Sequence, residues 1–287
     1  MSKRTTILGT ACVLGMALAA GQAAAAPLTD WDITANTSFS INDASTSGSQ
    51  TWKGWLLGGS VAGPLVDLAG LNVQLDASYI HNWASHASYE QWNLGGSIFW
   101  AGMENRVGVN VNYDTLTHTG TLTNGGIFAE QYFGNFTGMA KGGWLSSSGS
   151  RIGGHGNYLG AALTGYFVPD LAITGSFDWA DLTTGRANAF FDRGDINLNI
   201  WGIGAEWLFS EDYGVSVFGG YAYNQIHAFG DKTHDNVFRV GFRWYMGGGS
   251  LVDRHRNGNL NPWLPGIAAV NGGVLGAGQS NVTTFED

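Results

Sequence analysis

The stretch DWDITANTSFSIN, residues 30–42, alternates apolar or aromatic residues with polar residues at almost every second position. Successive side chains of a β-strand point to opposite faces of its sheet, so a period of two predicts a strand with two different faces. The odd positions are Trp31, Ile33, Ala35, Thr37, Phe39 and Ile41. The even positions are Asp32, Thr34, Asn36, Ser38, Ser40 and Asn42. The two faces of this strand therefore meet different solvents.

The same alternation returns along almost the whole chain. It is clear at residues 71–83, 91–102, 106–115, 170–181, 195–209, 213–223 and 236–246. Most runs are about 11 to 14 residues long, against ~5 to 6 for an ordinary strand. At ~3.3 Å per residue a run of ~12 residues reaches ~40 Å, and a tilt of ~40° leaves ~30 Å along a barrel axis, the thickness of a bilayer core. The pattern predicts an all-β fold, a closed antiparallel transmembrane β-barrel.

The connections predict the number of strands. Tight ones, VPD at 168–170, SED at 210–212 and GMEN at 102–105, alternate with longer polar ones, as expected for short periplasmic turns and longer outer loops. Eleven runs are clear, whereas a single-chain bacterial barrel has an even count. We therefore expect twelve strands, with a weak one hidden in 141–155 between runs at 127–140 and 156–168; ten is the alternative. In TWKGWLLGGSVAG, residues 51–63, Trp52 and Trp55 lie on opposite parities, so a β-bulge is expected.

The two ends of the chain depart from this pattern. Residues 1–25 combine basic Lys3 and Arg4, an apolar run from Ile7 to Ala20 and an alanine cluster, which is the layout of a cleaved signal peptide. Residues 29–246 form the predicted barrel. Residues 247–287 form a tail rich in Gly and Asn that is expected to be mostly irregular. Three alternatives stay open for this tail: it plugs the lumen, it extends into the periplasm, or it adds strands to the barrel.

Composition argues against several classes of protein. Charged residues make up 12% of the chain, about half of the ~25% usual in soluble domains. The formal net charge of −9 argues against nucleic acid as a partner. The single cysteine, Cys12, lies in the predicted signal peptide, so no disulfide is expected in the mature chain. After the signal peptide, no stretch holds ~18 uninterrupted apolar residues, so a helical membrane span is not expected.

Aromatic and charged residues are distributed as a membrane barrel requires. On the apolar parity, two belts are expected at the membrane interfaces: Trp31, Trp100, Trp207 and Trp244 near the periplasmic ends, and Trp83, Trp92 and Trp179 near the opposite ends. A charge that faces lipid at mid-depth costs ~2 to 4 kcal/mol, so charges inside strands are predicted to face the lumen. These are Asp76, Arg106, Asp114, Asp178, Glu206, Arg239 and Arg243. Most other inward residues are polar or glycine, which predicts a wet lumen.

Sequence motifs for catalysis or metal binding are missing. The chain has no G-x-S-x-G, no H-E-x-x-H and no cysteine for a metal site, so no enzyme activity, metal or cofactor is expected. Histidines gather at the outer ends of strands: His81, His86, His118, His155, His227 and His234. Two interpretations stay open: these histidines are ordinary polar residues of the rim, or they bind a divalent metal or respond to pH. Asp181, Asp192, Asp195, Asp231 and Asp235 share this rim and, with His227 or His234, would suit a rim-sited hydrolase.

Three segments resemble strand–turn–strand units of small porin-like and OmpA-like outer-membrane barrels of Gram-negative bacteria. They are GYFVPDLAITGSFDW (165–179), GIGAEWLFSEDYGVSVFGGYAY (202–223) and VFRVGFRWYMGG (237–248). The resemblance implies an outer-membrane location, contact with lipid and folding by the barrel-assembly machinery. Such barrels commonly end on an aromatic residue, whereas this chain continues for a long tail beyond Tyr245.

The function expected from these features is passive diffusion of small hydrophilic solutes through a narrow polar lumen. A barrel of twelve strands lies between filled small barrels and open large ones. The alternative is therefore a non-conducting barrel that serves envelope integrity or surface binding. A homo-oligomer is neither predicted nor excluded.

Overall fold

The computed structural model describes residues 31–44, 50–65, 70–84, 88–116, 120–148, 154–184, 195–228 and 231–258. Within these ranges the chain forms twelve β-strands and one short helix, α1 (Leu251–Asn257). None of the described residues form a helix long and apolar enough to cross a bilayer. The strands are β1 (Asp32–Ala44), β2 (Gln50–Pro64), β3 (Leu71–Trp83), β4 (Ser88–Ala101), β5 (Asn105–Leu116), β6 (Gly120–Phe133), β7 (Phe136–Ser148), β8 (Gly154–Val168), β9 (Leu171–Thr184), β10 (Asp195–Ser210), β11 (Val215–Ala228) and β12 (Asp231–Tyr245).

Backbone hydrogen bonds close the twelve strands into a barrel. Each strand pairs antiparallel with its sequence neighbours, and β1 pairs with β12 from Thr34↔Tyr245 to Ala44↔Asp235. Closure leaves no edge strand with free N–H and C=O groups, which is what a β-protein needs in lipid. The closed antiparallel barrel of twelve strands is confirmed, and the ten-strand alternative is wrong.

The barrel has two ends, which we name by their connections. The turn end carries connections 65–70, 102–104, 134–135, 169–170 and 211–214, together with the start of β1 and the end of β12. The loop end carries connections 45–49, 84–87, 117–119, 149–153, 185–194 and 229–230. Length sorts the connections only in part, since 65–70 is longer than 229–230.

The predicted hidden strand exists, but its predicted bounds are wrong. The run expected at 127–140 is broken in the middle, because β6 ends at Phe133 and β7 begins at Phe136. Gly134 occupies the turn between them with φ +57°, a conformation that glycine adopts without steric cost. Phe133 and Phe136 face each other across the turn with ring centroids 6.2 Å apart. Because aromatic residues lie on both sides of the turn, the sequence pattern does not show that the strand ends there.

The β-bulge expected in β2 is absent. β2 pairs with β1 and with β3 in unbroken register from Asp32↔Ala62 and Lys53↔Trp83 onward. Trp55 lies on the exterior parity with its exposed ring 5.2 Å from Tyr79, whereas Trp52 faces the lumen and packs 5.4 Å from Tyr89. The opposite parities of the two tryptophans are real, because one belongs to each face.

The exterior of the barrel is apolar and exposed. Val109 of β5, for example, lies midway along its strand and is 52% exposed. A water-soluble protein does not leave a contiguous band of this kind open to solvent. The large exposed side chains include Ile33, Phe39, Leu57, Leu75, Leu94, Ile98, Val107, Val111, Leu163, Ile203, Phe238, Val240 and Phe242.

Polarity inverts where the strands approach the loop end on one side. Beyond the exterior Trp201 of β10, the next exterior residues are Asn199 and Asn197, while their lumen-facing neighbours Leu198 and Ile196 are 1% and 3% exposed. A strand that projects beyond lipid needs a polar exterior and can bury apolar side chains inside. An apolar cluster fills this part of the lumen: Leu122, Leu145, Tyr158, Ala180, Leu182, Ile196, Leu198, Ile200 and Ile226. The prediction that most inward residues are polar or glycine does not hold in this part of the lumen.

The C-terminal tail, expected to be mostly irregular, begins with α1. Ser250 is its N-cap in a capping box, in which the Ser250 hydroxyl accepts from the Asp253 N–H at 3.3 Å and the Asp253 carboxylate accepts from the Ser250 N–H at 3.2 Å. Residues 247–258 return to the turn end of the barrel, as described below. The rest of the tail, 259–287, and the predicted signal peptide lie outside the described residues.

Candidate functional site in the barrel lumen

Residues 250–258, which we name the plug, occupy the mouth of the barrel at the turn end. Leu251 is fully buried in an apolar cluster with Tyr166, Ala172, Leu208 and Tyr245. Two hydrogen bonds donated by backbone N–H groups attach the first turn of α1 to the β8–β9 connection. The N–H of Leu251 donates to Asp170 Oδ1 at 3.2 Å, and the N–H of Val252 donates to the carbonyl of Pro169 at 3.1 Å.

Two arginines of the plug reach the backbone of other connections at the turn end. The guanidinium of Arg254 donates to the carbonyl of Glu211 at 2.9 Å and to that of Tyr245 at 3.3 Å. The guanidinium of Arg256 donates to the carbonyls of Gly134 and Phe136, both at 2.8 Å. Carbonyls at turns often lack a backbone donor, so these charge-assisted bonds tie the plug to two further points of the rim.

His255 connects the plug to a buried polar network around Glu206. Its Nε2 lies 3.0 Å from the hydroxyl of Tyr245 and 3.4 Å from Glu206 Oε2, and its Nδ1 lies 3.1 Å from the hydroxyl of Tyr166. Glu206 Oε1 accepts from Ser216 at 2.6 Å and from Tyr245 at 2.7 Å.

The carboxylate of Glu206 also receives a buried cation. Arg243 donates to Glu206 Oε2 and to the hydroxyl of Tyr245. Glu206 of β10 thus has partners from β11, β12 and the plug, so its charge is compensated although it is 1% exposed.

The C-terminal end of the plug is held by the opposite wall. Arg106 of β5 donates to the carbonyls of Arg256 and Gly258, the second at 2.9 Å. The same guanidinium lies 3.9 Å from Glu130 Oε2, which accepts from Tyr132 at 3.2 Å. A cation at the C-terminus of a helix satisfies carbonyls that have no partner within the helix. The plug therefore contacts β5 and β6 on one side of the mouth and β10 to β12 on the other.

Above the plug the lumen holds a chamber of about 360 Å³. Five glycines line it: Gly58, Gly59, Gly202, Gly204 and Gly220. The wall formed by β1 to β5 presents mostly amides and hydroxyls, from Asn36, Ser38, Ser40, Asn42, Ser60, Gln74, Ser78, Asn82, Gln91, Asn93, Ser97, Asn110 and Asn112, together with Asp76 and the less polar Leu56, Ala77, Ile80 and Tyr89. The wall formed by β6 to β12 mixes apolar and polar groups, from Phe128, Tyr158, Thr174, Ser176, Ile200, Phe218, Ala222 and Val237, with Lys141, Arg239 and Arg243.

The structure places all of the predicted lumen charges on the lumen parity of their strands. They are Asp76, Arg106, Asp114, Asp178, Glu206, Arg239 and Arg243. Asp178 pairs with Lys141 at 2.8 Å. Lys141 was not predicted to face the lumen, because the bounds predicted for its strand were wrong. Sequence reasoning also missed Glu130 and the basic residues of the plug. The capping pattern from Ser250 to Asp253 was the signal that could have located the plug.

The seven predicted girdle tryptophans lie on the exterior parity or just outside the strand. Trp31, Trp100, Trp207 and Trp244 are exposed at the turn end, and Trp83, Trp92 and Trp179 lie toward the loop end. Further exterior aromatics extend the second group, including Trp55, Tyr79, Tyr113, Trp144 and Trp201. The ring of Trp92 packs 4.6 Å from Tyr79, and that of Trp201 packs 4.4 Å from Phe177.

The described histidines of the loop end are spread over the exterior. His81 stacks on Trp83 with centroids 5.6 Å apart and lies 3.8 Å from Glu90, and His234 packs 6.0 Å from Tyr223. His155 and His227 are on exterior parities of β8 and β11, while His86 and His118 lie outside the described residues. In the part of the chain that the structure describes, no three His, Cys, Asp or Glu side chains gather in a group that could hold a metal.

The residues of the rim-sited hydrolase hypothesis do not share a face. Asp181 and His227 lie on the exterior, each paired in register with Asn197, whereas Asp235 faces the lumen. The barrel wall therefore separates Asp235 from the other two. Asp192 lies outside the described residues, and the side chains of Asp195 and Asp231 are likewise outside them.

Comparison with solved structures finds outer-membrane β-barrels. An outer-membrane channel from Pseudomonas putida F1 has a TM-score of 0.55 at 12% identity, over 78% of this chain and 97% of that one. The translocator domain of autotransporter NalP from Neisseria meningitidis has a TM-score of 0.48 at 12% identity, over 84% and 95%. The KdgM porin in complex with disordered oligogalacturonate has a TM-score of 0.47 at 7% identity, over 74% and 98%.

At this level of identity the likeness extends to the barrel fold alone. Neither the protein-family models nor the curated proteins give a match to the sequence. The narrower resemblance to OmpA-like barrels stays a prediction.

Proposed function

We propose that the chain is an outer-membrane channel of a Gram-negative bacterium that passes small hydrophilic solutes. The observation that carries this proposal is a chamber of about 360 Å³, with amides and hydroxyls along its β1 to β5 wall, inside a barrel whose exterior is apolar. An exterior of exposed Val, Leu and Ile between two aromatic groups suits hydrocarbon, and a lumen wall of amides and hydroxyls suits water and polar solutes. The predicted signal peptide provides export, and the barrel-assembly machinery and outer-membrane lipid are the expected partners.

The structure represents the channel with the plug docked at its turn end. It contacts both sides of the mouth and buries Leu251, Arg254 and His255, so a solute in the chamber has to pass it to leave at the turn end. The loop end is narrowed by the apolar cluster on β6 to β11. The wall of β1 to β5 offers more polar groups toward the loop end, including Asn42, Asn82 and Asn93, beside Ile80 and Tyr89. We expect solutes to follow this side of the lumen.

Electrical recording of the purified, folded chain in a planar lipid bilayer tests this proposal. We expect discrete current steps in potassium chloride for the wild type, with small or infrequent openings while the plug is docked. A variant with a weakened plug, Leu251→Ala, is expected to open more often. Silence from both proteins, when each migrates as a folded barrel on electrophoresis without heating, would support the non-conducting structural barrel instead.

A further inference from the structure

Arg239 differs from the other cations on the lumen face of the strands because it has no ion pair with a described residue. Arg106 lies near Glu130, Lys141 pairs with Asp178, and Arg243 pairs with Glu206. Arg239 projects from β12 into the chamber and makes no hydrogen bond or ion pair with any residue that the structure describes. A cation held in a narrow site without a counter-ion favours the binding of an anion.

The surroundings of Arg239 leave room for such an anion. In the register, Arg239 lies between Ser40 of β1 and Gly220 of β11, and the next lumen-facing residue toward the turn end is Gly241. Gly220 has no side chain and lines the chamber beside Arg239, whereas the space at Gly241 is taken by the ring of Phe218 and the side chain of Ser38. The room beside Arg239 is therefore on the β11 side. The chamber itself holds about 360 Å³, enough for a small organic solute.

The lumen carboxylates nearest in the fold are engaged elsewhere or are remote along the strand. Asp76 accepts from Gln74 at 2.8 Å, and Asp178 pairs with Lys141. Asp235 is on the same face of β12 but four residues away, which is ~13 Å along a strand at ~3.3 Å per residue. No carboxylate of the described chain therefore neutralises Arg239.

Hydrogen-bonding groups near the loop-end side of the chamber define the rest of the ligand. The side-chain oxygen of Asn42 is buried and has no hydrogen-bond partner within the described residues. Asn42 lies two residues along β1 from Ser40, the register partner of Arg239, and lines the same chamber together with Ser38 and Ser40. An amide oxygen accepts a hydrogen bond, so this position suits a hydroxyl donor on the ligand.

We propose that Arg239 anchors the carboxylate of a small polyhydroxylated acid in the chamber, while the amide wall binds its hydroxyl groups. A guanidinium binds a carboxylate through two parallel N–H···O bonds, which a compact ammonium does not reproduce. This inference rests on the proposed function and names its solute class. The channel would favour hydroxylated anions over neutral polyols of the same size.

Gluconate and sorbitol provide the test, because they differ only in a carboxylate against a CH2OH group. Binding of each to the folded wild-type chain in detergent is measured by titration calorimetry, and block of the ion current is measured in a bilayer. We expect gluconate to bind and to block, and sorbitol to do so at least tenfold more weakly. Arg239→Gln should lose about 10- to 100-fold in gluconate affinity, the worth of a charge-assisted hydrogen bond, and Arg239→Lys should lose less.

Lys53→Gln is the matched control, since Lys53 is an exposed cation on the exterior parity of β2. It removes the same charge from the chain and should leave gluconate binding unchanged. Equal binding of gluconate to wild type and Arg239→Gln, or equal binding of gluconate and sorbitol, overturns the site. Calorimetry and bilayer recording together separate the two proposals. If gluconate binds but no ion current appears, the proposed channel function is rejected and the Arg239 site stands. If ion current appears but gluconate binds no better than sorbitol, the Arg239 site is rejected and the channel function stands.

Discussion

Replacing Leu251 by alanine should release the plug from the mouth of the barrel. Leu251 is 0% exposed and packs among Tyr166, Leu208 and Tyr245. Truncation of a fully buried leucine to alanine costs about 2 to 5 kcal/mol, and the value depends on how far the site can collapse. Taking about 3 kcal/mol, and about 1.4 kcal/mol for each factor of ten, the equilibrium for leaving the mouth shifts about a hundredfold toward the undocked state.

Two measurements check this prediction together. Amide hydrogen exchange of residues 251–257 should accelerate about a hundredfold in Leu251→Ala, and the open fraction in single-channel recordings should rise in proportion until it saturates. Leu251→Met conserves volume and costs less than about 1.5 kcal/mol, so it serves as the control. Faster exchange with an unchanged current would show that the plug is not the barrier. Unchanged exchange would refute the packing argument itself.

Three further predictions concern the wall of the barrel. Glu206→Gln leaves Arg243 buried without a counter-ion and should lower the free energy of unfolding by about 3 to 5 kcal/mol in urea titrations, whereas the exposed Asp212→Asn should change it by less than about 0.5 kcal/mol. Val109→Arg should cost about 2 to 4 kcal/mol of folding free energy in lipid vesicles. Thr115→Arg, nearer the loop end of the same strand, should cost about 0 to 1 kcal/mol. Equal costs for the two variants would place Val109 outside the hydrocarbon. Leu198→Ala should cost about 2 to 5 kcal/mol in the same titrations, and no loss would mean that the inner cluster is not a packed core.

Alternation along the strands could be read reliably because the membrane imposes it. Exterior positions at mid-depth meet hydrocarbon, so Val107, Val109 and Val111 of β5 are all apolar, whereas the alternate residues Asn110 and Asn112 face the chamber. A one-residue slip would move a whole strand to the wrong face. The parity of Arg239 and Glu206 therefore followed from the sequence before their surroundings were known.

Other features could not be predicted, because a period of two identifies two faces but not the solvent of each. At the loop end of β10 the pattern Ile-Asn-Leu-Asn-Ile alternates as regularly as elsewhere, yet Leu198 is inside and Asn197 is outside. The change depends on where the bilayer ends along the strand, which tilt and register decide. The turn at Gly134 was missed for a different reason, since the aromatic residues on both sides resemble a continuing strand.

The plug was the hardest part to predict because its stability comes almost entirely from docking. Helices shorter than ~12 to 15 residues are marginal in water, and α1 has seven residues. Its capping box fits a helix start, but the contacts of Leu251, Arg254 and His255 with the barrel supply most of what holds it. We infer that leaving the mouth and unfolding are one step for α1, so its amides should exchange together rather than fray from one end. Separate exchange rates along the helix would show that it persists outside the barrel.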